Sequence, residues 1–436
     1  MTGASGDGRR RVVVTGMGVV SPIGVSVDSF WEALQLGRSG IATIESFDTE
    51  GLGTSFASQV DDEAYRSAVP PRVYRRVDRF VRMALAAVNE ALGQADLDEA
   101  VDRSRVGVCF GTSAGPLATS LGSAVTFAER GQRGLRREFP YIATSSSFGS
   151  AVAEIALLHR FGGPSLTIAA ECSSGSNAIG VAVAMIRSGM ADAIVCGGTD
   201  ATVIPFSMAS VSVIGALSTR NDEPLAASRP LDEDRDGFVM GEGAAALVLE
   251  SLDHAQRRGA RILGEILGYG AATDTVHATA PDPEGAGAAT AIRMALADAD
   301  QEPESIDVVN MHATGTKLND SAEYAALLTA FGDHAAGLPV YGIKPLTGHM
   351  IGAAGAVEAI ALLLSLATGV IPATRNCEKP IGTGLDIVRG SNRLINARIG
   401  LSTSFGFGGQ CAALVLAGPD MTANDSSRAL SEEPRV

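Results

Sequence analysis

Cys172 stands in Ile168-Ala-Ala-Glu-Cys-Ser-Ser-Gly-Ser-Asn-Ala-Ile-Gly180, where an apolar run gives way to small residues. The pattern predicts a strand that feeds straight into a helix, with the thiol at the helix N-terminus. There the dipole and the unpaired N–H groups favour thiolate and can hold the oxyanion of an attacked thioester. A cysteine is also an ordinary small core residue, so position alone leaves both readings open. His312, in Asn310-Met-His-Ala-Thr-Gly-Thr316, follows a second apolar run at the point where the chain opens into Gly and Thr. His349, in Gly342-Ile-Lys-Pro-Leu-Thr-Gly-His-Met-Ile-Gly-Ala-Ala-Gly355, lies between a third such run and a small-residue helix. Three strand-end loops therefore each present one reactive side chain, the usual place for chemistry on an α/β scaffold. Of the six histidines, His159, His254, His277 and His334 lack this setting, although His277 falls in a candidate pocket loop. A fourth glycine-rich turn, Ser404-Phe-Gly-Phe-Gly-Gly409, could bring backbone N–H groups close to a ligand; it reads equally as a tight turn flanked by core aromatics.

Positioning these loops requires buried strands. β-Branched runs at Arg11–Val14, Val106–Phe110, Ala193–Cys196 and Ala246–Leu249 recur as a second set at Ile262–Leu267, Ile306–Met311, Val340–Ile343 and Ala412–Leu416. They alternate with helical segments, which predicts an α/β protein of two similar halves, residues 11–260 and 261–418. The helices expected at Ser174–Ser188 and Gly352–Thr368 are apolar or small on nearly every side, so each should be buried all round, one per half. The polar segments 1–10 and 419–436 are expected to be flexible and disordered, respectively.

Composition removes several function classes. A net charge of −15 argues against general nucleic-acid binding. The five cysteines (109, 172, 196, 377, 411) form no CxxC pair, which disfavours both a disulfide framework and a structural zinc site, and no metal is expected. The apolar stretch Gly348–Pro372 is interrupted by Glu358 and crowded with Gly and Ala, so it reads as a core helix and not a membrane span. Without an apolar N-terminal stretch, a cytoplasmic location is expected. Gly16-Met-Gly18 hints at dinucleotide binding, but Ser21 holds the third glycine position; Asp232–Gly237 imitates a calcium loop, but Gly243 stands where its last glutamate is needed. Against the acidic background one basic cluster stands out. Arg72, Arg75, Arg76, Arg79 and Arg82 are spaced to share one helix face, a surface that an acidic protein would fit, although charge runs are usually just solvated faces.

The four chemical segments, in this order, resemble the β-ketoacyl-acyl-carrier-protein synthases, specifically the elongating class with a Cys-His-His triad. Val14-Thr-Gly-Met-Gly-Val-Val-Ser-Pro-Ile-Gly24, Ser218–Asp222, Ser228–Pro230, Asp234–Phe238 and Gly241-Glu-Gly243 extend the resemblance over nearly the whole chain. It implies the thiolase fold, duplicated α/β halves in a five-layered α-β-α-β-α sandwich, usually dimeric. It also implies that Cys172 takes an acyl chain from acyl-carrier protein while the N–H groups of Cys172 and Phe407 hold the oxyanion. His312 and His349 then act on the malonyl thioester. Lys344 has an orienting role through a network with Glu323, and Asp320 supports the same loop. Thr314, Thr316 and Thr279 fall near the malonyl carboxylate, and Leu117, Val211 and Phe405 near the substrate. Arg72, Arg75 and Arg76, with Arg136 and Arg137, match the carrier-protein docking positions. No bound cofactor is implied, since 4'-phosphopantetheine arrives on the carrier. The partner is a second copy or a chain-length-factor homologue. Glu171, Lys317, Pro345-Leu346 and Gln410-Cys411 depart from the housekeeping pattern and lean towards a specialised polyketide or polyene pathway. A thiolase would need a cysteine where Phe405-Gly-Phe407 stands, an initiating synthase an Asn at His349, and a silent chain-length factor would lack Cys172. A partner-dependent subunit remains the alternative.

Overall fold

The structure is a computed structural model and describes residues 9–97 and 101–419. The expected flexible N-terminus and disordered tail lie, apart from residues 9, 10 and 419, outside the described residues. The strands of the first half that bear on the site are β1 (Val12–Val20), β2 (Val106–Gly111), β3 (Ser165–Ile168), β4 (Ala193–Asp200) and β5 (Gly243–Ser251). Those of the second are β6 (Gly264–Thr273), β7 (Val308–Asn310), β8 (Pro339–Tyr341), β9 (Ile399–Gly406) and β10 (Gln410–Ala417). Every expected run forms a strand, most of them longer than the β-branched stretch that announced it. The Gly-, Ala- and Thr-rich ends, such as Gly197–Asp200, are carried into the ladder by pairing with neighbours rather than by propensity.

The duplication is exact in topology. The first half pairs in the order β1-β5-β4-β2-β3 and the second in the order β6-β10-β9-β7-β8, with the same two antiparallel contacts followed by two parallel ones. The first strands of the halves meet through Val13↔Glu265 and Val14↔Gly264, so the two sheets join into one ladder of eleven strands, with Asp386–Ile387 added at the far edge.

Helices α1 (Arg79–Ala95), α2 (Leu117–Glu138), α3 (Ser150–His159), α4 (Ser174–Arg187), α5 (Pro205–Val213), α6 (Ala286–Asp298), α7 (Lys317–Phe331) and α8 (Ala354–Thr368) complete the frame. α1 covers β1, β5 and β4, and α3 covers β2 and β3, on the outer side of the first sheet. α6 covers β6 and β10 with α7 beside it. Between the sheets lie α4 and α8, packed on each other and on strands of both halves. This is the five-layered thiolase sandwich. It explains why both central helices carry no polar face, and the one described helical segment apolar and long enough to cross a membrane, Ile351–Thr368, is this buried layer. Small residues let the layers close. A Cβ on Gly198 of β4 would fall 2.3 Å from the Gly352 carbonyl oxygen and 3.1 Å from the Gly175 Cα.

The basic cluster is arranged differently from the expected single face. The chain breaks between a short helix, Pro71–Tyr74, and α1, because Asp78 caps α1 through the Phe80 N–H. Arg79 turns inward to Asp62 and to the fully buried Glu242. Arg82 also faces Asp62 and lies over the Tyr74 ring, and Arg76 pairs with Glu154 at 2.5 Å. Arg72 and Arg75 remain exposed and, among the described residues, without an ion pair. Arg136 and Arg137 are exposed in the last turn of α2, beyond a kink at Gly131.

Candidate active site

Cys172 and His349 lie in equivalent strand-to-helix connections of the two halves, Cys172 inside the turn and His349 two residues before it. Each follows the third strand of its sheet, β3 or β8, and precedes a central helix. A short 3-10 turn leads into each helix, opened by a residue with a left-handed backbone: Glu171 with φ 48° before α4, Ile351 with φ 48° before α8. Left-handed backbone at a non-glycine residue costs energy and turns the chain sharply, here out of each strand and into the interlayer. His312 comes from the end of β7, next to β8 in the same sheet. The pseudo-symmetry thus sets the nucleophile facing the two imidazoles across the join of the halves.

The distances are those of a working cluster. His349 Nε2 lies 3.1 Å from Cys172 Sγ, and the two imidazole rings stand edge to face with centroids 5.1 Å apart. Phe238 packs edge-on against His349 and Phe405 against His312. The sulfur and one nitrogen of each histidine lie within 4.8 Å of one another, a donor set that a soft divalent ion could also accept.

Lys344 fixes the state of His312. It is buried, bonds the His312 carbonyl, and places Nζ 3.2 Å from His312 Nδ1. An ammonium only donates, so Nδ1 accepts and the ring proton sits on Nε2. The acid that compensates Lys344 is Glu358 on α8, not Glu323 as expected from sequence. Glu323 instead receives the N–H groups of His312 and Ala313, each at 2.7 Å, and the Thr403 hydroxyl. Two carboxylates therefore hold the loop, one through its backbone and one through Lys344; burial pushes each up to about 7. Asp320 supports the next stretch by accepting from Gly315 and Leu231 N–H, while Thr314 and Thr316 hydroxyls pair at 3.0 Å.

Burial also governs the titrating groups. Both imidazoles are held well below their ordinary value, by desolvation first and by Lys344 next, so both are neutral near pH 7. The thiol is pushed up to about 12 by burial and then by Glu171, with Lys344 pulling the other way. Burial and Glu171 thus oppose the thiolate that the helix end and Lys344 favour.

A cavity of about 490 Å³ opens onto this cluster and is lined by all six expected substrate residues: Leu117, Val211, Thr279, Thr314, Thr316 and Phe405. Phe407 also lines it, in a turn that passes so near the nucleophile that a Cβ on Gly406 would fall 3.0 Å from the Cys172 nitrogen. Sequence reasoning missed Asp200, buried at the end of β4. It accepts from Thr112 Oγ1 and from the N–H groups of Ser113, Ala114, Gly115 and Gly352, tying the loop after β2 to the turn before α8. It also missed the role of Glu358, although a single charge inside an all-buried helix is itself a sign that a buried partner exists.

The patterns of the β-ketoacyl synthase N-terminal and C-terminal domains match residues 9–255 and 263–378. The chain belongs to the β-ketoacyl synthase family. A 3-oxoacyl-acyl-carrier-protein synthase 2 of Synechocystis sp. is 38% identical over 408 residues, 93% of this chain and 97% of the relative. A putative polyketide β-ketoacyl synthase 1 of Streptomyces cyaneus is 40% identical over 417 residues, 94% and 98% of the two chains. The ishigamide ketosynthase/chain length factor superposes with a TM-score of 0.86 at 36% identity, and so does a type II polyketide ketosynthase in complex with its acyl-carrier protein, at 31%; each comparison covers 94% of this chain and 99% of the other. The expected ketosynthase chemistry and thiolase fold are thereby borne out, and the thiolase-type alternative has nothing in its favour.

Proposed function

We propose that this ketosynthase carries out decarboxylative Claisen condensation of an acyl chain held on Cys172 with malonyl-acyl-carrier protein, extending the chain by two carbons. The observation that carries the reading is the placement of one buried thiol and two buried imidazoles together in the wall of an acyl-sized cavity.

In the loading step Cys172 Sγ attacks the thioester carbonyl, its proton passing to the carrier thiol as that thiol leaves. The N–H groups of Cys172 and Phe407 hold the oxyanion. In the second step the malonyl thioester loses CO2. The electron pair left behind is delocalised onto the thioester oxygen, where Nε2–H of His312, with His349 beside it, stabilises it better in a dry site than water would. The α-carbon attacks the acyl-cysteine carbonyl, a carbon–carbon bond forms, and the Cys172 sulfur leaves. Thr314, Thr316 and Thr279 receive the malonyl carboxylate; Leu117 and Val211 receive the growing chain. This chemistry needs donors to oxygen and no resident metal or cofactor, the phosphopantetheine arm arriving on the carrier. Arg72 and Arg75, with Arg76, Arg136 and Arg137 around them, receive the acidic carrier. The enzyme works in the cytoplasm.

The relatives include synthases of both fatty-acid and polyketide type, and the departures at Glu171 and Lys317 favour a specialised polyketide or polyene pathway. A partner-dependent subunit is the second reading, supported by the paired ketosynthase/chain length factor structures. Intact-protein mass spectrometry tests both. Acyl mass appears on wild-type protein and is lost in Cys172→Ala, whereas His349→Ala loads but does not extend. Acylation of Cys172→Ala at another cysteine overturns the assignment, and loading only with an added chain-length-factor homologue establishes the second reading.

A further inference from the structure

Glu171 is the one carboxylate of the cavity wall that stands next to the nucleophile in sequence, and its surroundings set it apart from its neighbours. Asp236 and Asp274 also line the cavity, but each is engaged by its own loop, Asp236 by Ser218 and Thr219, Asp274 by the N–H groups of Val276 and Asp282. The left-handed backbone at Glu171 turns its side chain into the cavity, where it is exposed and accepts a single side-chain hydrogen bond, 2.7 Å from Ser113 Oγ. No Lys, Arg or His pairs with it among the described residues. One stretch of the wall built by the second half has the reverse character: the paired hydroxyls of Thr314 and Thr316, then Lys317 exposed at the first position of α7, whose N-terminus is itself favourable to anions. The cavity is thus anionic beside Cys172 and anion-accepting at the start of α7.

The two substrates of the proposed reaction differ in this same property. The acyl primer is uncharged, whereas the malonyl extender carries a carboxylate. We infer that Glu171 sorts them by charge, admitting uncharged acyl groups to Cys172 and turning away acyl groups that bear a terminal carboxylate, so that the extender does not occupy the nucleophile. Ser113 holds the carboxylate in place and leaves its charge intact. This inference rests on the acyl-loading reading above and adds the substrate class that the nucleophile accepts. A carboxylate beside a cysteine works against thiolate formation; rejection of the wrong acyl group gives that arrangement a use.

Butyryl- and succinyl-acyl-carrier proteins, equal in chain length and different in one carboxylate, test it by intact mass of the full chain, together with its partner subunit if loading requires one. Wild-type protein loads butyryl in preference to succinyl. Glu171→Gln, which keeps the Ser113 hydrogen bond and removes the charge, narrows the ratio of loading rates about tenfold, or about 1.4 kcal/mol, the size of one partly solvated like-charge contact. Glu171→Gly, which suits the left-handed backbone, narrows it similarly, and Ser113→Ala leaves it near wild type. Added salt narrows the wild-type ratio and not that of Glu171→Gln. An unchanged ratio in both Glu171 variants overturns the inference and leaves the loading reading intact. Absence of butyryl from Cys172 in the wild type overturns the loading reading and the inference with it.

Discussion

His312 and His349 are buried bases that have been made poor bases, and this follows from their neighbours. Desolvation and the Lys344 ammonium both disfavour a second positive charge, so each ring stays neutral and is a hydrogen-bond donor or acceptor as the reaction demands. The extension step of pre-acylated enzyme is therefore expected to show no inflection near pH 6.5, where an ordinary imidazole titrates; single-turnover rates from pH 5.5 to 8 check this. Stability carries the opposite signature. The folded values lie below the unfolded one, so the unfolded chain binds more protons as pH falls, and stability present above pH 6.5 is lost by about 1.4 kcal/mol per unit per histidine. Acid-side unfolding midpoints of wild type and His349→Asn, compared at several pH values, read that slope directly. Lys344→Met leaves the buried Glu358 carboxyl without its partner and raises it further, so it goes neutral, and the expected loss is about 1–3 kcal/mol in thermal or denaturant unfolding. Adding Glu358→Gln recovers much of the stability without recovering extension, because His312 Nδ1 still lacks its donor.

At the level of elements, a shared helical spacing gave unequal fates to five arginines. The Asp78 cap starts α1 afresh, which rotates Arg79 and Arg82 towards Asp62 and Glu242 and leaves Arg72 and Arg75 in solvent. Charge reversal at Arg72 and Arg75 together is expected to lower kcat/KM for carrier-bound acyl groups roughly tenfold while leaving turnover of small pantetheine thioesters unchanged. Arg79→Ala should do the reverse, costing about 3–5 kcal/mol of stability by stranding the buried Glu242, with no specific loss towards the carrier. Comparing the two substrates and the unfolding midpoints separates docking from scaffold.

On the scale of the molecule, one edge of the sheet ends at β3 with its outward hydrogen-bonding groups unpaired and Leu166 exposed. Leu157 on α3, Phe127 on α2 and Val213 on α5 are more than half exposed in the same half of the chain, and an open apolar edge of this kind calls for cover. Phe206 and Ile214, exposed in the same half, also line the acyl cavity, so a partner that covers them would close the cavity wall. The expected solution state is a dimer, with itself or with a chain-length-factor homologue, measured by light scattering on the purified chain alone and with that homologue. Thr167→Pro, which removes a donor from the edge strand, should yield monomer and reduce extension by at least tenfold if the partner completes the site.

The nucleophile and both histidines were legible in the sequence because each sits where an apolar run stops and small residues begin, and that local change is what a strand-to-helix junction requires. Most of the strands, the two all-apolar helices and the six substrate residues that line the cavity were legible for the same reason: each depends on neighbours in the chain or on a resemblance carried by contiguous motifs. What remained out of reach depends on residues far apart. Glu358 stands 14 positions from Lys344 in the chain but reaches it only because α8 is sandwiched between two sheets. Asp200 serves Ser113 and Gly352 across the join of the halves, and Glu242 finds Arg79 only after the helix has broken. Burial itself, which sets the charge states of Cys172, His312 and His349, belongs to no segment. The sequence alone determined which groups react, since reactivity is a matter of residue type at a local junction; the tertiary structure decided their protonation and partners, because desolvation and charge pairing arise only when the layers close.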